Sequence, residues 1–521
     1  MVTITSTTDA YRLGVDDGGT FTDACAFSPK GRVFRAKVPS TPHDQSIGVR
    51  DSIDKLRAII ETQEGFTGQS DALHHGSTVA TNALLEGKGV PAALIVTEGH
   101  KDDPPAPIIP LERTLQVPER IGVDGKEVQP VEREALKKEL LTVKGKVKAV
   151  TVSLLNPWVS GEHEKQVAEA VKEVLPDVEV SLSHEVLPEL GEYERTVTAA
   201  TNSVVKPEVK NYLKGLQEKL RDDAATVRIL KSDGGLTELN LSGELPVNIL
   251  MSGPAGGVKG ITSIIANSTE HKNLITLDMG GTSTDVALIA NGQPELRRET
   301  VVGDITVRSA SVDVRTIGAG GGSLAFFDPL TETLRDGPES SGASPGPACY
   351  GRGGTQATVT DTNVVLGYLP ETLLGGDFKL DVDAARSAVG RLAQVMGKTM
   401  LETAEAIIDL ANEAIYGALR RVSVERGHNP GDFAMVAFGG AGPMSPGILC
   451  AQGDATTKMS HELPASFIQL LPSIEMEKLR NELNGLKDRC EATMKESLGS
   501  MNPALATSYQ VALRYKGQAL E

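Results

Sequence analysis

Positive charge is in short supply in this chain. Its 52 Lys and Arg face 69 Asp and Glu, a formal net charge of −17. Nucleic acid and anionic membrane both require a basic surface, so neither is expected as the main partner. Cysteine is almost missing. Cys25, Cys349, Cys450 and Cys490 stand far apart with no C-x-x-C spacing, which argues against a disulfide framework or a thiolate zinc site and makes a reducing compartment the default. No run of about 18 apolar residues occurs, so no spanning helix is expected. The opening MVTITSTTDAYRLGV has neither the basic start nor the apolar core of a signal peptide. Together these absences predict a cytoplasmic protein.

What is present is glycine. The 521 residues include 54 Gly and 28 Pro at 40% hydrophobic content, a composition that is globular and loop-rich, long enough for roughly two to four domains. Short apolar, β-rich runs at 11–15, 33–38, 92–97, 147–155, 178–182, 227–230, 274–278, 286–290 and 434–438 predict strands. Helix-length segments at 161–174 and 402–427 lie between some of them. In the second, Ile407, Ala411, Ala414 and Ala418 form an apolar stripe. Strands alternating with helices imply α/β layers. The Pro-rich stretches 102–110 and 337–347 are loop-like, and 475–498, with Leu479, Leu483 and Leu486 on one stripe, predicts an amphipathic surface helix.

One pattern occurs twice. GVDDGGTFTDACAF at 14–27 and LDMGGTSTDVAL at 277–288 align Asp16, Gly18, Gly19, Thr20, Thr22 and Asp23 with Asp278, Gly280, Gly281, Thr282, Thr284 and Asp285. Each copy follows an apolar run, turns through a Gly pair and re-enters an apolar run, the pattern of a hairpin with a tight tip. Glycine lets backbone N–H groups approach an anion closely, and successive N–H groups make a concave phosphate cradle. Thr hydroxyls add donors. An acid at each strand end suits a hydrated Mg²⁺, which binds through one or two carboxylates and phosphate oxygens. A single D-x-G-G-T would be an ordinary turn. Two matched copies predict two facing hairpins gripping a nucleotide's phosphates.

These hairpins resemble those of the actin, heat-shock chaperone and sugar-kinase superfamily. More narrowly, the chain resembles the hydantoinase A, 5-oxoprolinase and acetone carboxylase β-subunit family. The supporting stretches include HGSTVATNALLEGKG (75–89), SHEVLPELGEYERT (183–196), MSGPAGG (251–257), TIGAGGGS (316–323), GASPGPACYGRGG (342–354), TDTNVVLG (360–367) and VERGHNPGDFAMVAFGGAGP (424–443). The resemblance implies an α/β fold of two ribonuclease-H-like lobes around a nucleotide cleft, with a truncated C-terminal segment. It implies domains at 1–205, 206–455 and 456–521. The implied activity is ATP- and Mg²⁺-dependent opening of a cyclic amide through a phosphorylated carbonyl, with a hydantoinase B-type partner subunit. A small-molecule kinase of the same superfamily, a non-catalytic ATP-binding subunit and a degenerate copy are the other readings.

Site expectations follow residue by residue. Asp16 and Asp278 are candidate catalytic acids and Mg²⁺ ligands. Gly18, Gly19, Thr20, Thr22, Gly280, Gly281 and Thr282 are candidate phosphate contacts. FGGAGP resembles the superfamily's adenosine-contacting turn, which places Gly439, Gly440 and Gly442 against the nucleotide. His75 either orients substrate and shuttles a proton, as its family position suggests, or caps structure. Gly320 and Gly321 either hug a phosphate or form a hinge. Asp313 and Asp361 are second-layer acids or solvated turn formers, and Glu192, Glu194 and Arg195 are expected in surface or inter-lobe ion pairs. Against the family pattern, the chain is shortened after IVTEGH (95–100) and after Met444, and it ends in LRYKGQALE where the family continues. Loss of a helix behind the adenosine turn predicts poor discrimination between ATP and GTP.

Overall fold

Each copy of the repeat folds into a hairpin, and each hairpin nucleates a sheet. The computed structural model describes residues 11–444 apart from 19–20, 42–43, 67, 86, 102–107, 267–268, 374–375 and 377, together with 484, 487 and 488. In the first lobe β1 (Arg12–Asp17), β2 (Phe21–Phe27) and β3 (Val33–Pro39) form an antiparallel meander. Its apolar alternation puts Leu13, Val15, Ala24 and Ala26 in the core. Helix α1 (Gln45–Glu64) is capped by Asp44, stops at left-handed Gly65 and buries Val49, Ile53, Leu56 and Ile60 on one face. It returns the chain to β4 (Ser70–Ser77), which lies parallel to β1, and α2 (Val79–Leu85) follows.

A unit that the strand pattern had not set apart interrupts this lobe. Strands β5 (Ala92–Thr97), β6 (Thr114–Val117), β7 (Ala149–Val152) and β8 (Glu179–Leu182) form a separate, wholly parallel sheet in the order β6-β5-β7-β8. All six residues of β5 are buried, as in a sheet covered on both faces. The 29-residue α3 (Glu192–Leu220) then carries the chain back to β9 (Ala224–Leu230) and β10 (Leu236–Glu238). These complete the first sheet in the order β10-β9-β4-β1-β2-β3. The expected division at residue 205 thus falls inside α3, and the first lobe's strands run on to Glu238. Arg195, expected in a surface or inter-lobe pair, is fully buried and donates to the carbonyls of Leu154 and Glu189 at 3.1 and 2.9 Å. Glu194 reaches Arg308 at 3.3 Å.

Helix α4 (Ser252–Ile261) leads into the second lobe. There β11 (Leu274–Met279), β12 (Thr284–Ala290) and β13 (Val314–Ile317) repeat the meander, followed by α5 (Val359–Val365), α6 (Met400–Val422) and β14 (Ala434–Phe438), which lies parallel to β11. The capping box of Thr399 and Glu402 starts α6, whose buried face carries Ile407, Ala411, Ile415 and Ala418; Ala414 is exposed. Asp361, open as a second-layer acid or a solvated turn former, is buried and accepts from the Ala348, Cys349 and Thr358 N–H groups and the Thr358 hydroxyl at 2.7–3.1 Å. Asp313 is buried in ion pairs with Arg297 and Arg426. Among the described residues no helix is long and apolar enough to cross a membrane. The expected 475–498 helix and 456–521 domain lie outside the described residues, save 484, 487 and 488.

Four donors converging on one buried carboxylate make Asp361 a structural anchor. Asp361→Ala should cost about 3 kcal/mol or more, because three N–H groups lose their acceptor. Urea unfolding of variant and parent measures it; a loss below about 1 kcal/mol would contradict the anchor role.

Candidate active site

The two hairpins agree in register as well as in sequence. Asp16 stands directly across from Asp23, and Asp278 directly across from Asp285. The Gly18 N–H donates to the Phe21 carbonyl at 3.1 Å, and the Gly280 N–H to the Ser283 carbonyl at 3.0 Å. Both tips open on one cleft of about 2150 Å³ between the lobes. Asp16, Gly18, Asp278, Gly280, Gly281, Thr282, Gly321, Gly439 and Gly440 all line it. Of the expected contacts, Gly19 and Thr20 lie outside the described residues.

Four expected contacts lie behind the cleft wall. Strand alternation turns Thr22 inward, where its hydroxyl donates to Asp17 at 2.9 Å. Gly320 and Gly442 are buried. A Cβ on Gly320 would lie 2.7 Å from the Thr282 carbonyl carbon, and one on Gly442 would lie 3.2 Å from the Leu277 oxygen. These glycines let backbone pack against the hairpin rather than against a ligand. His75 is fully buried, with Nδ1 3.2 Å from the Val15 carbonyl and Nε2 2.6 Å from the Tyr212 hydroxyl. Nδ1 therefore carries the proton and Nε2 accepts from Tyr212. Burial pushes its pKa down to about 4, which keeps the ring neutral. Tyr212 itself lines the cleft.

Helix α4 sets the spacing of the two acids. A Cβ added at Gly253 would stand 3.8 Å from an Asp16 carboxylate oxygen. One added at Gly257, a turn further on, would stand 3.5 Å from an Asp278 oxygen and 2.9 Å from the Phe438 ring. Both carboxylates therefore rest against one helix, at positions about 6 Å apart along its axis. Ser252 ties the start of α4 to the first lobe, accepting from the Ser77 N–H at 3.0 Å and donating to the Ser77 carbonyl at 2.7 Å. Gly439 closes on Asp278 from the other side. Its φ is +83°, and a Cβ there would lie 2.3 Å from an Asp278 oxygen.

Enclosure by protein pushes Asp16 up to about 7, helped by repulsion from Asp23 and Asp278 and opposed by Lys37. Asp278 is likewise pushed up to about 7, by enclosure first and then by Asp285. Burial raises Asp285 to about 6 and Asp17 to about 7. Two desolvated carboxylates, one from each lobe, thus face one cleft. Among the described residues no group of three or more His, Cys, Asp or Glu is placed to hold a metal ion by itself. Sequence reasoning missed Asp17, Lys37, Tyr212 and the glycines of α4, which matter only through contacts distant in sequence.

The hydantoinase/oxoprolinase N-terminal region matches residues 12–175, and the hydantoinase/oxoprolinase domain matches residues 195–469. The chain belongs to the hydantoinase/oxoprolinase family. The caprolactamase α subunit of Pseudomonas jessenii is 32% identical over 98% of this chain and 80% of its own. The 5-oxoprolinase 1 of Arabidopsis thaliana is 32% identical over 97% of this chain but only 46% of its own. The structure of nucleotide-free acetone carboxylase superposes with a TM-score of 0.78 at 25% identity, covering 86% of this chain and 67% of that one.

Two outcomes test the site. Gly439→Ala should displace Asp278 and destabilise the protein by about 2 kcal/mol or more, since the added carbon meets both strain and an occupied position; unaltered stability would contradict the packing. A carboxyl raised in the folded state holds a proton that the unfolded chain releases near pH 4, so its favourable contribution is lost as pH rises toward 7. Asp278→Asn should therefore gain stability relative to the parent between pH 5 and pH 8. A difference that stays flat across that range would mean Asp278 is not raised.

Proposed function

We propose that this chain is the ATP-using subunit of a cyclic-amide hydrolase, acting on a hydantoin, 5-oxoproline or a related lactam. The observation that carries the reading is the pair Asp16 and Asp278, presented by matched hairpins from two lobes against one helix. Family membership supplies the chemistry by likeness: the relatives include an ATP-dependent caprolactamase and 5-oxoprolinases. Relatives named as subunits support a partner chain, for which we propose a hydantoinase B-type subunit.

In this reading the two tips border the triphosphate, with the N–H groups of Gly281 and Thr282 donating to it, and the turn at 439–444 borders the nucleoside. Asp16 and Asp278 would hold Mg²⁺, which when bound neutralises phosphate charge. The tips fix the terminal phosphoryl group in line with the amide oxygen, and positioning is most of what this transfer asks of a protein. The amide oxygen bonds to the γ-phosphorus and ADP leaves. Water then adds to the activated carbon, the C–N bond breaks as the nitrogen takes a proton, and a second water releases phosphate from the resulting acyl phosphate to leave the carboxylate. His75, which the cleft does not reach, acts in this scheme as a positioning residue that fixes the Tyr212 hydroxyl.

Calorimetric titration with Mg-ATP should show at least about a tenfold loss in both Asp16→Asn and Asp278→Asn; unchanged affinity in both would sink the two-hairpin grip. With its partner present, the protein should release phosphate from ATP only when a cyclic amide is supplied. Accumulation of a stable phosphorylated product in place of an opened ring would establish a kinase instead.

A further inference from the structure

The two sheets differ in the third residue of the row that carries the strand-end acids. Across the first sheet, direct register aligns Asp16 of β1, Asp23 of β2 and Lys37 of β3 in one row. Across the second, the same row reads Asp278, Asp285 and Thr316. Each outer residue contacts the middle acid: the Lys37 ammonium lies 2.8 Å from Asp23, and the Thr316 hydroxyl donates to Asp285. A hydroxyl therefore suffices to partner the middle acid. The cation in the first lobe answers some other demand.

Its setting points the same way. Lys37 lines the cleft with both strand-end acids and lies 5.1 Å from the Phe21 ring centre, also in the cleft wall. Its charge acts on Asp16 and on Asp278, so the ammonium sits within the field of both lobes. Asp23 is about half exposed, at 52%. A pair so open to solvent is weak, so the ammonium can exchange partners at little cost. Of the other cations of the cleft wall, Lys219 is held by Asp44 and Arg297 by Asp313, while Lys88 and Arg315 also line it. Lys37 stands in the first lobe, across the cleft from the turn at 439–444 in the second.

We propose that Lys37 is the cation that receives the terminal phosphate of the nucleotide, exchanging Asp23 for a γ-phosphate oxygen when the triphosphate binds. This rests on the ATP-binding reading of the cleft. It makes Lys37 a catalytic residue, because a charge placed on the transferred group also stabilises it during transfer. Asp23 becomes the group that parks the ammonium in the unliganded protein.

Calorimetry with Mg-ATP and Mg-ADP on the full chain tests it. Lys37→Met should weaken Mg-ATP by about tenfold or more while changing Mg-ADP less than about threefold, because only the triphosphate offers the terminal group. Retained Mg-ADP binding also reports that the variant is folded. Asp23→Asn should not weaken Mg-ATP. Equal losses for both nucleotides in Lys37→Met, no loss for either, or an Asp23→Asn variant that copies Lys37→Met would overturn the assignment. A parent protein that binds neither nucleotide would overturn the ATP reading itself.

Discussion

Two carboxylates that repel each other are held in one cleft, and much of the architecture serves to keep them there. Asp16 and Asp278 end parallel-paired central strands of different lobes and rest against the same face of α4. That contact needs glycine at 257, where an added Cβ would stand 2.9 Å from the Phe438 ring, whereas one at 253 would meet Asp16 only in ordinary contact. It needs glycine again at 439, where the backbone passes directly over Asp278. The run at 318–322 supports the second tip through N–H bonds from Gly321 and Gly322 to the carbonyls of Gly280 and Gly281. The geometry of the site is thus set by backbone against backbone, which leaves few rotamers to adjust.

Duplication alone explains the frame but not the chemistry. Where the first hairpin has the buried Asp17, the second has the buried Met279. Asp17 keeps one carboxylate oxygen without a partner, and its charge is felt by Tyr212, which in turn holds the neutral His75. The second lobe has an apolar side chain at the matching place. Polarity has accumulated behind the first tip and been withdrawn behind the second, so the lobes grip alike yet offer different surroundings to what they grip.

Much of the frame was legible in the sequence, and the reason is local. Strands at 92–97 and 434–438 have the predicted bounds because apolar residues fill them and polar ones flank them. The hairpins announced themselves through Gly-Gly-Thr between apolar runs. Strand β4, with the sequence SDALHHGS, gave no such signal: its His75 and Ser77 are buried by partners on α3 and α4, far along the chain. The same limit governs the site. The acids could be chosen because the pattern repeats, whereas Lys37 in FRAKVP looks like any strand-edge lysine until the register sets it beside Asp23.

The separate parallel sheet shows why residue type alone misplaces function. Its buried acids Glu119 and Glu164 look like catalytic candidates, yet each is matched: Glu119 by His163 at 2.6 Å, Glu164 by His184 at 2.6 Å and the Ser183 hydroxyl at 2.6 Å. A fully satisfied carboxylate rigidifies its surroundings and has nothing left to offer a ligand. Asp16 and Asp278 are in the opposite condition. They are enclosed, raised in pKa and facing open space. That contrast between satisfied and unsatisfied charge, more than the presence of acids, separates the cleft from the rest of the molecule.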